Sequence, residues 1–267
     1  MERISPLQQS YKRDAHHYSL YTRIAADHVF RILSDLQEGG KALDVGCGTG
    51  YLMRRISETW PGRWDLHGIE SDQCAIDWLR SCASGTFALG DARDIQYEDG
   101  TFDLVLSISV LEHIEDDTTG MRELVRVLKP GGVLIVSVPC LNGVRSRSRL
   151  RNLGHTDPGN PEYHVRPGYD ADDLAGVLDG MGLSFQMRFF GMFLLSEILM
   201  DLVKWAYFRA ANTLGSQTNI AKAGTSRPFA LYKCLFPLIY GMEIVERGIF
   251  RGSEKGHIFT AAFRRTP

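Results

Sequence analysis

The run LDVGCGTGYL, from Leu43 to Leu52, constrains the fold more than any other stretch of this 267-residue chain. An apolar segment ends at Val45, glycines follow at 46, 48 and 50, and helical spacing begins directly after them. Glycine tolerates positive φ angles and lets another group approach the backbone closely. The run therefore predicts a buried strand, a tight turn and a helix N-terminus, with a ligand close to the turn.

Apolar runs alternate with helical segments through residues 40–140. The pattern predicts strands at 41–46, 64–70, 86–91, 102–109 and 132–139. Helices are predicted between them at 49–60, 72–83 and 116–132. Short apolar strands that alternate with helices are typical of parallel strands joined by right-handed crossovers.

After Pro139 this alternation stops. We expect a long loop at 141–169, a helix at 169–182, a strand at 183–191, helices across 192–250 around a linker at 213–227, and a last strand at 256–265. The predicted fold is α/β: a Rossmann-like, seven-stranded, doubly wound sheet in a single domain, with a helical insertion between the last two strands. Its parts are an N-terminal helical lid (1–39), a cofactor-binding core (40–140), a substrate-side loop, helix and strand (141–190), a helical cap (191–250) and the final strand (251–267).

Composition excludes several classes of protein. Lys and Arg total 30 against 32 Asp and Glu, whereas a nucleic-acid binder usually carries a basic excess, so we expect no nucleic acid as partner. The five cysteines form no CxxC pair and are odd in number, which favours a reducing cytoplasm. The first twenty residues lack the apolar core of a signal peptide, and every apolar run is shorter than a membrane-spanning helix.

Acidic residues around the glycines indicate the ligand's charge. The spacing is G-x-G-x-G, one residue shorter than the dinucleotide fingerprint G-x-G-x-x-G, and Asp44 precedes Gly46 where a pyrophosphate would be repelled. A cationic ligand such as S-adenosylmethionine fits better, although a nicotinamide cofactor stays the alternative. Glu70 ends the second strand, where an acid can accept hydrogen bonds from ribose hydroxyls, and Asp91 with Ala92 follows the third, within reach of adenine.

Five ordered motifs carry a family resemblance. LDVGCGTG, Glu70, GDA, FDLVLSISVLEHIED and RVLKPGGVLIVSVP together resemble class I S-adenosylmethionine-dependent methyltransferases of the type 11 and ubiquinone-biosynthesis O-methyltransferase kind. The resemblance implies S-adenosyl-L-methionine as cofactor and S-adenosyl-L-homocysteine as product. The cofactor-binding residues it implies are Asp44, Gly46, Cys47, Gly48, Gly50, Glu70, Ser71, Asp91, Ala92, Ser107 and Ile108, with Cys47 expected to be a packing residue.

His113 is the first candidate for catalysis. It follows the fourth strand in LEHIED, at the carboxyl edge where open α/β sheets bind ligands, and histidine is the usual base for an O–H acceptor. The alternative is a histidine that fixes its loop, and Glu112 is expected to be structural or to contact the cofactor. The ubiquinone-type enzymes place an acid three residues before this Glu-His pair and associate all three with a divalent cation. Ser109 stands there in this chain, so we predict no metal.

The acceptor is indicated by weaker signals. HVRPGYDADDL resembles the family's segment near the substrate opening, which makes His164 a second catalytic candidate and Arg166 a substrate contact. Tyr18 is a candidate for a lid over the cofactor. Arg145 begins the alternating run VRSRSRLRNL, which is either a solvated face or a contact for an anionic acceptor or membrane.

The insertion contains two broadly apolar helical stretches, at 189–211 and 229–250. They predict either a two-helix cap that serves as a lid or homodimer face, or a tunnel or peripheral membrane patch for a lipid-linked acceptor. The sequence thus favours O-methylation of a small, lipid-linked or glycan-linked acceptor. N- or C-methylation of another small molecule and a non-catalytic S-adenosylmethionine-binding scaffold are the alternatives.

Overall fold

The computed structural model describes residues 17–143, 163–211 and 227–267, and for 204–211 and 227–229 it describes the backbone alone. The strands are β1 (Gly40–Val45), β2 (Trp64–Glu70), β3 (Thr86–Leu89), β4 (Phe102–Ile108), β5 (Leu128–Pro139), β6 (Leu183–Gly191) and β7 (Ile258–Arg265). The helices are α1 (Leu20–Asp35), α2 (Tyr51–Thr59), α3 (Gln73–Cys82), α4 (Asp117–Val127), α5 (Ala171–Asp179), α6 (Leu194–Ala211) and α7 (Arg227–Ile249), with a 3-10 turn at Leu111–His113.

The strands form one seven-stranded mixed sheet in the order β3-β2-β1-β4-β5-β7-β6. β1 pairs in parallel with β2 on one side and β4 on the other, and β2–β3 and β4–β5 are also parallel. The chain order reverses between β1 and β4, which is the point where open α/β sheets bind ligands. The predicted Rossmann-like fold, with its helical insertion between the last two strands, is confirmed.

One predicted boundary is wrong. The helix expected over 116–132 ends at Val127, and the Lys-Pro-Gly-Gly stretch already belongs to β5. Proline lacks an N–H and forces the residue before it out of the helical region, so Lys129 is extended. Leu128 pairs with Phe102, and the register shift that follows absorbs the two glycines before Val133 joins the ladder.

The chain divides into two compact units, and the prediction of a single domain stays a prediction. The sheet unit comprises residues 25–138, 171–189 and 260–267. Its core includes the fully buried side chains Ile56, Ile76, Leu104 and Ile135, so helices and strands of the alternating pattern pack into one cluster.

The hairpin unit comprises the described residues within 1–24, 139–170 and 190–259, and it contains α6 and α7. Its core packs Leu20 and Ile24 of α1 with Met200 of α6 and Phe236 and Ile239 of α7. None of the helices in the described part of the chain combines the length and apolar character needed to cross a bilayer.

Predictions also fall on residues outside what the structure describes. These are residues 1–16 of the expected lid, 144–162 of the expected loop and 212–226 around the expected linker. The loop includes the arginines expected to contact an anionic acceptor: Arg145, Arg147, Arg149 and Arg151. The side chains of residues 204–211 at the end of α6 are not described either, so the predictions made for all these residues stay predictions.

Candidate active site

The glycine-rich turn between β1 and α2 has a left-handed backbone at all three glycines. The φ angles of Gly46, Gly48 and Gly50 are 74°, 52° and 70°. A Cβ on Gly46 would lie 2.4 Å from Val110 Cγ2, and one on Gly50 would lie 2.5 Å from Leu79 Cδ2. Both the backbone conformation and the close neighbours thus require glycine at 46 and 50, as the sequence predicts for a turn that admits a ligand.

Glu70 is held at the carboxyl end of β2 by backbone donors. Its Oε2 accepts the N–H of Gly48 (2.9 Å), and its Oε1 accepts the N–H groups of Ser71 (2.8 Å) and Asp72 (3.1 Å). The Ser71 hydroxyl also donates to Oε1, at 3.1 Å. The contact with Gly48 ties the acid to the glycine turn and leaves Oε2 able to accept a further hydrogen bond, as a ribose hydroxyl would require.

Asp44 is a buried acid near the end of β1. It lies opposite Gly68 of β2 and Leu106 of β4, so backbone surrounds it on both sides. Burial raises the pKa of Asp44 to about 7, and the nearby charge of Glu70 contributes to this rise. No described residue donates a hydrogen bond to this carboxylate. A cationic ligand group would supply the missing charge.

Cys47 is buried beside the two acids, as expected of a packing residue. Burial raises the pKa of its thiol well above the usual range, and the charges of Asp44 and Glu70 raise it further. The thiol is therefore protonated at neutral pH and is a poor nucleophile.

Asp91 follows β3 and is bound by Arg93, a partner that the sequence reasoning missed. Arg93 Nη2 donates to Asp91 Oδ2 at 2.6 Å, and Arg93 Nε donates to Oδ1 at 3.0 Å. These side-chain hydrogen bonds, with the Arg93 backbone N–H, hold the pKa of Asp91 below its ordinary value. The carboxylate is exposed and fixed in orientation, and half-buried Ala92 follows it. An arginine two residues after an acid is a sequence signal that could have indicated this pair.

The segment after β4 places an exposed histidine next to a buried acid. The His113 side chain is exposed, and the His113 backbone N–H donates to the Val110 carbonyl at 3.0 Å. Glu112 is buried, burial raises its pKa to about 8, and its Oε2 has no hydrogen-bond partner among the described residues. Ser107 is also buried with its hydroxyl unpartnered there, while Ser109 has a left-handed φ of 56°. Sequence reasoning left Glu112 in the background because a single acid gives no sign of its burial.

These observations place the predicted cofactor residues of the sheet unit at one edge. The carboxyl ends of β1, β2 and β4 meet there because Val45 pairs with both Ile69 and Ser107, and β3 ends beside Glu70. The edge combines a glycine turn, a buried acid without a donor and an acid ready for a ribose. This combination of groups fits an adenosine-bearing cation. It is typical of the nucleotide-binding site in class I methyltransferase folds.

Comparison with known proteins agrees with this class. A family model described as "Methyltransferase domain" matches residues 43–136. The chain is 37% identical over 99 residues to ajmaline N-methyltransferase of Rauvolfia serpentina, covering 35% of this chain and 34% of that protein. It is 33% identical over 109 residues to 2-methyl-6-phytyl-1,4-hydroquinone methyltransferase of Synechocystis, covering 39% of this chain and 34% of that protein.

A solved structure shares the fold over nearly the whole chain. It is a Thermotoga maritima S-adenosylmethionine-dependent methyltransferase, described as a possible histamine N-methyltransferase, with a TM-score of 0.59, 14% identity and coverage of 97% of this chain and 99% of that one. The resemblance to class I methyltransferases is thereby confirmed. The chain spans about a third of the length of the two curated relatives.

The remaining predicted site residues belong to the hairpin unit. His164 is half-buried, and the Arg166 guanidinium lies 5.0 Å from the centre of the Tyr169 ring. Tyr18 packs edge-on against Phe236 of α7, with ring centres 5.4 Å apart. Their predicted roles toward the acceptor or as a lid stay predictions.

Proposed function

We propose that this protein is an S-adenosylmethionine-dependent methyltransferase that acts on an oxygen of a small, lipid-linked or glycan-linked acceptor. The observation that carries the proposal is the pair of acids at the sheet edge. Asp44 receives no hydrogen bond from the described residues and has its pKa raised to about 7, while Glu70 is fixed by backbone N–H groups beside the glycine turn. An acid that is costly to bury and has no donor is the arrangement expected for a cationic ligand.

Each side chain has a separate task in this proposal. S-adenosylmethionine, when bound, supplies an electrophilic methyl group on a sulfonium. Asp44 receives the cationic amino-acid end, Glu70 the ribose hydroxyls, and Asp91 the adenine amine. Gly46 and Gly48 admit the ligand to the backbone because neither carries a side chain.

His113 is the proposed base. As the acceptor oxygen bonds to the methyl group, the methyl–sulfur bond would break and its electron pair would leave with S-adenosylhomocysteine, while the O–H bond breaks and the proton passes to the imidazole. Its exposure supports a role toward an incoming acceptor. Glu112, with a pKa of about 8, is mostly protonated and neutral at pH 7, so it adds no negative charge beside the His113 base. Methyl transfer otherwise needs orientation and exclusion of water more than proton chemistry.

The acceptor is inferred from relatives and from surface chemistry. One matched relative is named for a hydroquinone with a phytyl chain, which supports an oxygen-bearing or lipid-linked acceptor. Another is named as an N-methyltransferase, and this favours an amine as the second candidate. Incubation of the protein and S-adenosylmethionine with a hydroquinone, a prenylated hydroquinone, a glycan and an amine, followed by S-adenosylhomocysteine release, separates these classes. Repeating the assay with a chelator tests the prediction that no metal is needed.

Titration calorimetry with S-adenosylmethionine tests the cofactor site. We expect Asp44→Asn to weaken affinity at least tenfold and the double change Asp44→Ala with Glu70→Ala to weaken it at least a hundredfold. Glu58→Ala, an exposed acid on α2, is the matched control and should leave affinity unchanged. Unchanged affinity in the double variant contradicts the proposal, and preferential binding of a nicotinamide cofactor would restore the dinucleotide alternative.

The same titration over pH isolates Asp44. Its folded pKa of about 7 lies above the ordinary 3.8, so the carboxylate gains a proton as pH falls below about 7 and no longer offers a charge. Affinity should therefore decline up to about tenfold per pH unit below 7 in the wild type. In Asp44→Asn this component of the pH dependence should disappear.

A further inference from the structure

α7 presents an exposed face that is entirely uncharged from Ala230 to Phe250. Its most exposed large side chains are Leu238 and Ile249, each 72% exposed, followed by Leu231 and Val245 at 61%. Leu235, Ile244 and Phe250 add to the same exposed set. We call Leu231, Leu235, Leu238, Ile244, Val245 and Ile249 the apolar face of α7. Isolated exposed leucines are ordinary, whereas a continuous apolar face marks an interaction site.

The charged residues of this stretch of α7 all point away from that face. Glu243 and Glu246 are buried, and Lys233 and Arg247 are half-buried. Arg247 Nε lies 2.9 Å from Glu243 Oε2, so these two charges form an ion pair within the helix itself. A helix at a water-facing surface normally has the opposite arrangement, with charges outward and apolar residues inward.

α6 repeats the inversion. Leu195 and Leu202 are each 55% exposed, while Ser196, Glu197 and Asp201 between them are buried. Glu246 of α7 joins the two helices, because its carboxylate accepts the Leu195 N–H at 2.6 Å and the Ser196 N–H at 3.0 Å. The acids of both helices in the described stretches are therefore turned into the hairpin unit, and large apolar side chains are left exposed.

We propose that the apolar face of α7, with Leu195 and Leu202 of α6, docks onto a phospholipid bilayer surface. The pattern fits a helix lying along the interface, because it needs an apolar outer face and no polar group that requires water there. The face extends over about 20 residues, roughly 30 Å, along the helix. Membrane docking is independent of methyl transfer, and it would bring the protein to lipid-linked molecules.

A bilayer explains this face better than a second copy of the chain does. The uncharged arc covers roughly half of the helix circumference at about 100° per residue. A helix that pairs with another uses a narrower seam flanked by charged residues, which set the partner and the register. Protein interfaces also carry a polar rim, and the exposed positions of α7 between 230 and 250 provide no charged residue for one. A lipid surface needs neither flanking charges nor a rim.

Vesicle flotation tests the proposal with the full chain and vesicles of phosphatidylcholine containing a minor fraction of phosphatidylglycerol. The wild type should float with the vesicles, and Leu238→Ser with Ile249→Ser should bind them at least tenfold more weakly. Val177→Ser removes an exposed apolar side chain from α5 in the sheet unit, and it should bind like the wild type. Because all these positions are exposed, circular dichroism and S-adenosylmethionine affinity should be unchanged in every variant.

A fluorescent label on Cys234 reports the contact directly. Cys234 is exposed on α7, and Cys74 is exposed on α3 of the sheet unit. With the other exposed cysteines replaced by serine, a polarity-sensitive label at Cys234 should shift to the blue on addition of vesicles, and one at Cys74 should not. Equal response at both positions, or vesicle binding that Leu238→Ser with Ile249→Ser leaves intact, overturns the proposal. The proposal is also overturned if the wild type does not bind vesicles but sediments as a dimer, and the double variant dissociates that dimer.

Discussion

Glu246 of the hairpin unit differs from Asp44 and Glu112 of the sheet unit in the donors that its carboxylate receives. Glu246 accepts hydrogen bonds from two backbone N–H groups. In the sheet unit, Asp44 has no donor among the described residues and Glu112 has one oxygen without a partner there, and the pKa of each is raised, to about 7 and about 8. Burying a carboxylate costs free energy unless donors compensate for the lost water.

This difference in donors distinguishes an acid that stabilises the fold from acids whose missing partner a ligand or a proton can supply. Glu246, whose carboxylate has donors, joins the two helices of the hairpin unit. Acids that are left without donors weaken the sheet unit by themselves, and such groups concentrate where a ligand or a reacting proton will complete them. The two helices of the hairpin unit also combine buried acids with exposed apolar side chains.

Glu112→Gln gives the largest test of this contrast. The folded pKa of Glu112 is about 8 against an ordinary 4.5, so the stability that its protonated form contributes is fully present below pH 4.5 and is lost as pH rises through about 8. This group should contribute a slope of about 1.4 kcal/mol per pH unit across that window. Glutamine does not titrate, so the variant should lose that slope in urea unfolding measured at pH 5, 6.5 and 8.

Ser107→Ala is the matched control for this prediction. It changes a buried side chain of the sheet unit that does not titrate, and the slope between pH 5 and 8 should stay as in the wild type. Equal pH slopes in the wild type and Glu112→Gln would contradict the view that Glu112 is an uncompensated acid.

Gly46→Ala should lower the free energy of unfolding by about 3 kcal/mol, since the left-handed backbone and the overlap with Val110 both oppose a side chain. Gly62 has the same φ of 74°, yet nothing lies within 4 Å of the place that a Cβ would take there, so Gly62→Ala isolates the backbone cost at about 1 kcal/mol. Denaturant unfolding of both variants gives the difference. If the two changes cost the same, Val110 does not restrict the turn.

The sequence predicted the sheet and most of the edge at which the glycine turn and the acids meet. Period and turn residues predicted β2 and β6 to the residue, and Asp44, Gly46 and Glu70 lie at one edge as their places at strand ends predict. Their role toward a cofactor stays a prediction. Prediction failed where neighbours distant in sequence decide. The burial of Glu112 is set by tertiary packing, and the early end of α4 depends on Leu128 pairing with Phe102.

The hairpin unit shows a second limit. Helical spacing separates polar from apolar residues in α6, but it does not say which side faces outward. The structure turns Glu197 and Asp201 inward and Leu202 outward, against the usual expectation for a surface helix. Only the packing of α6 against α7 supplies that information.

Glu246→Ala tests whether the buried acids of the hairpin unit are structural. The change removes the acceptor for the N–H groups of Leu195 and Ser196 in the first turn of α6. Loss of such a helix cap, with donors left buried, should lower the free energy of unfolding by about 2 kcal/mol. Glu246→Gln keeps one acceptor oxygen and should fall between the wild type and alanine. No loss in Glu246→Ala would show that the carboxylate does not hold the two helices together.

Ser109→Gly should produce the smallest effect, and it is a gain. Ser109 has a φ of 56° directly after β4, a conformation that costs a non-glycine residue about 1 kcal/mol. Glycine removes this cost but gains entropy in the unfolded chain, so the variant should be more stable by about 0.5 kcal/mol. Ser109→Ala removes the hydroxyl and keeps the strained backbone, and it should show no gain in the same unfolding measurement. A gain in both variants would mean that the hydroxyl, rather than the backbone at the edge of the sheet unit, carries the cost.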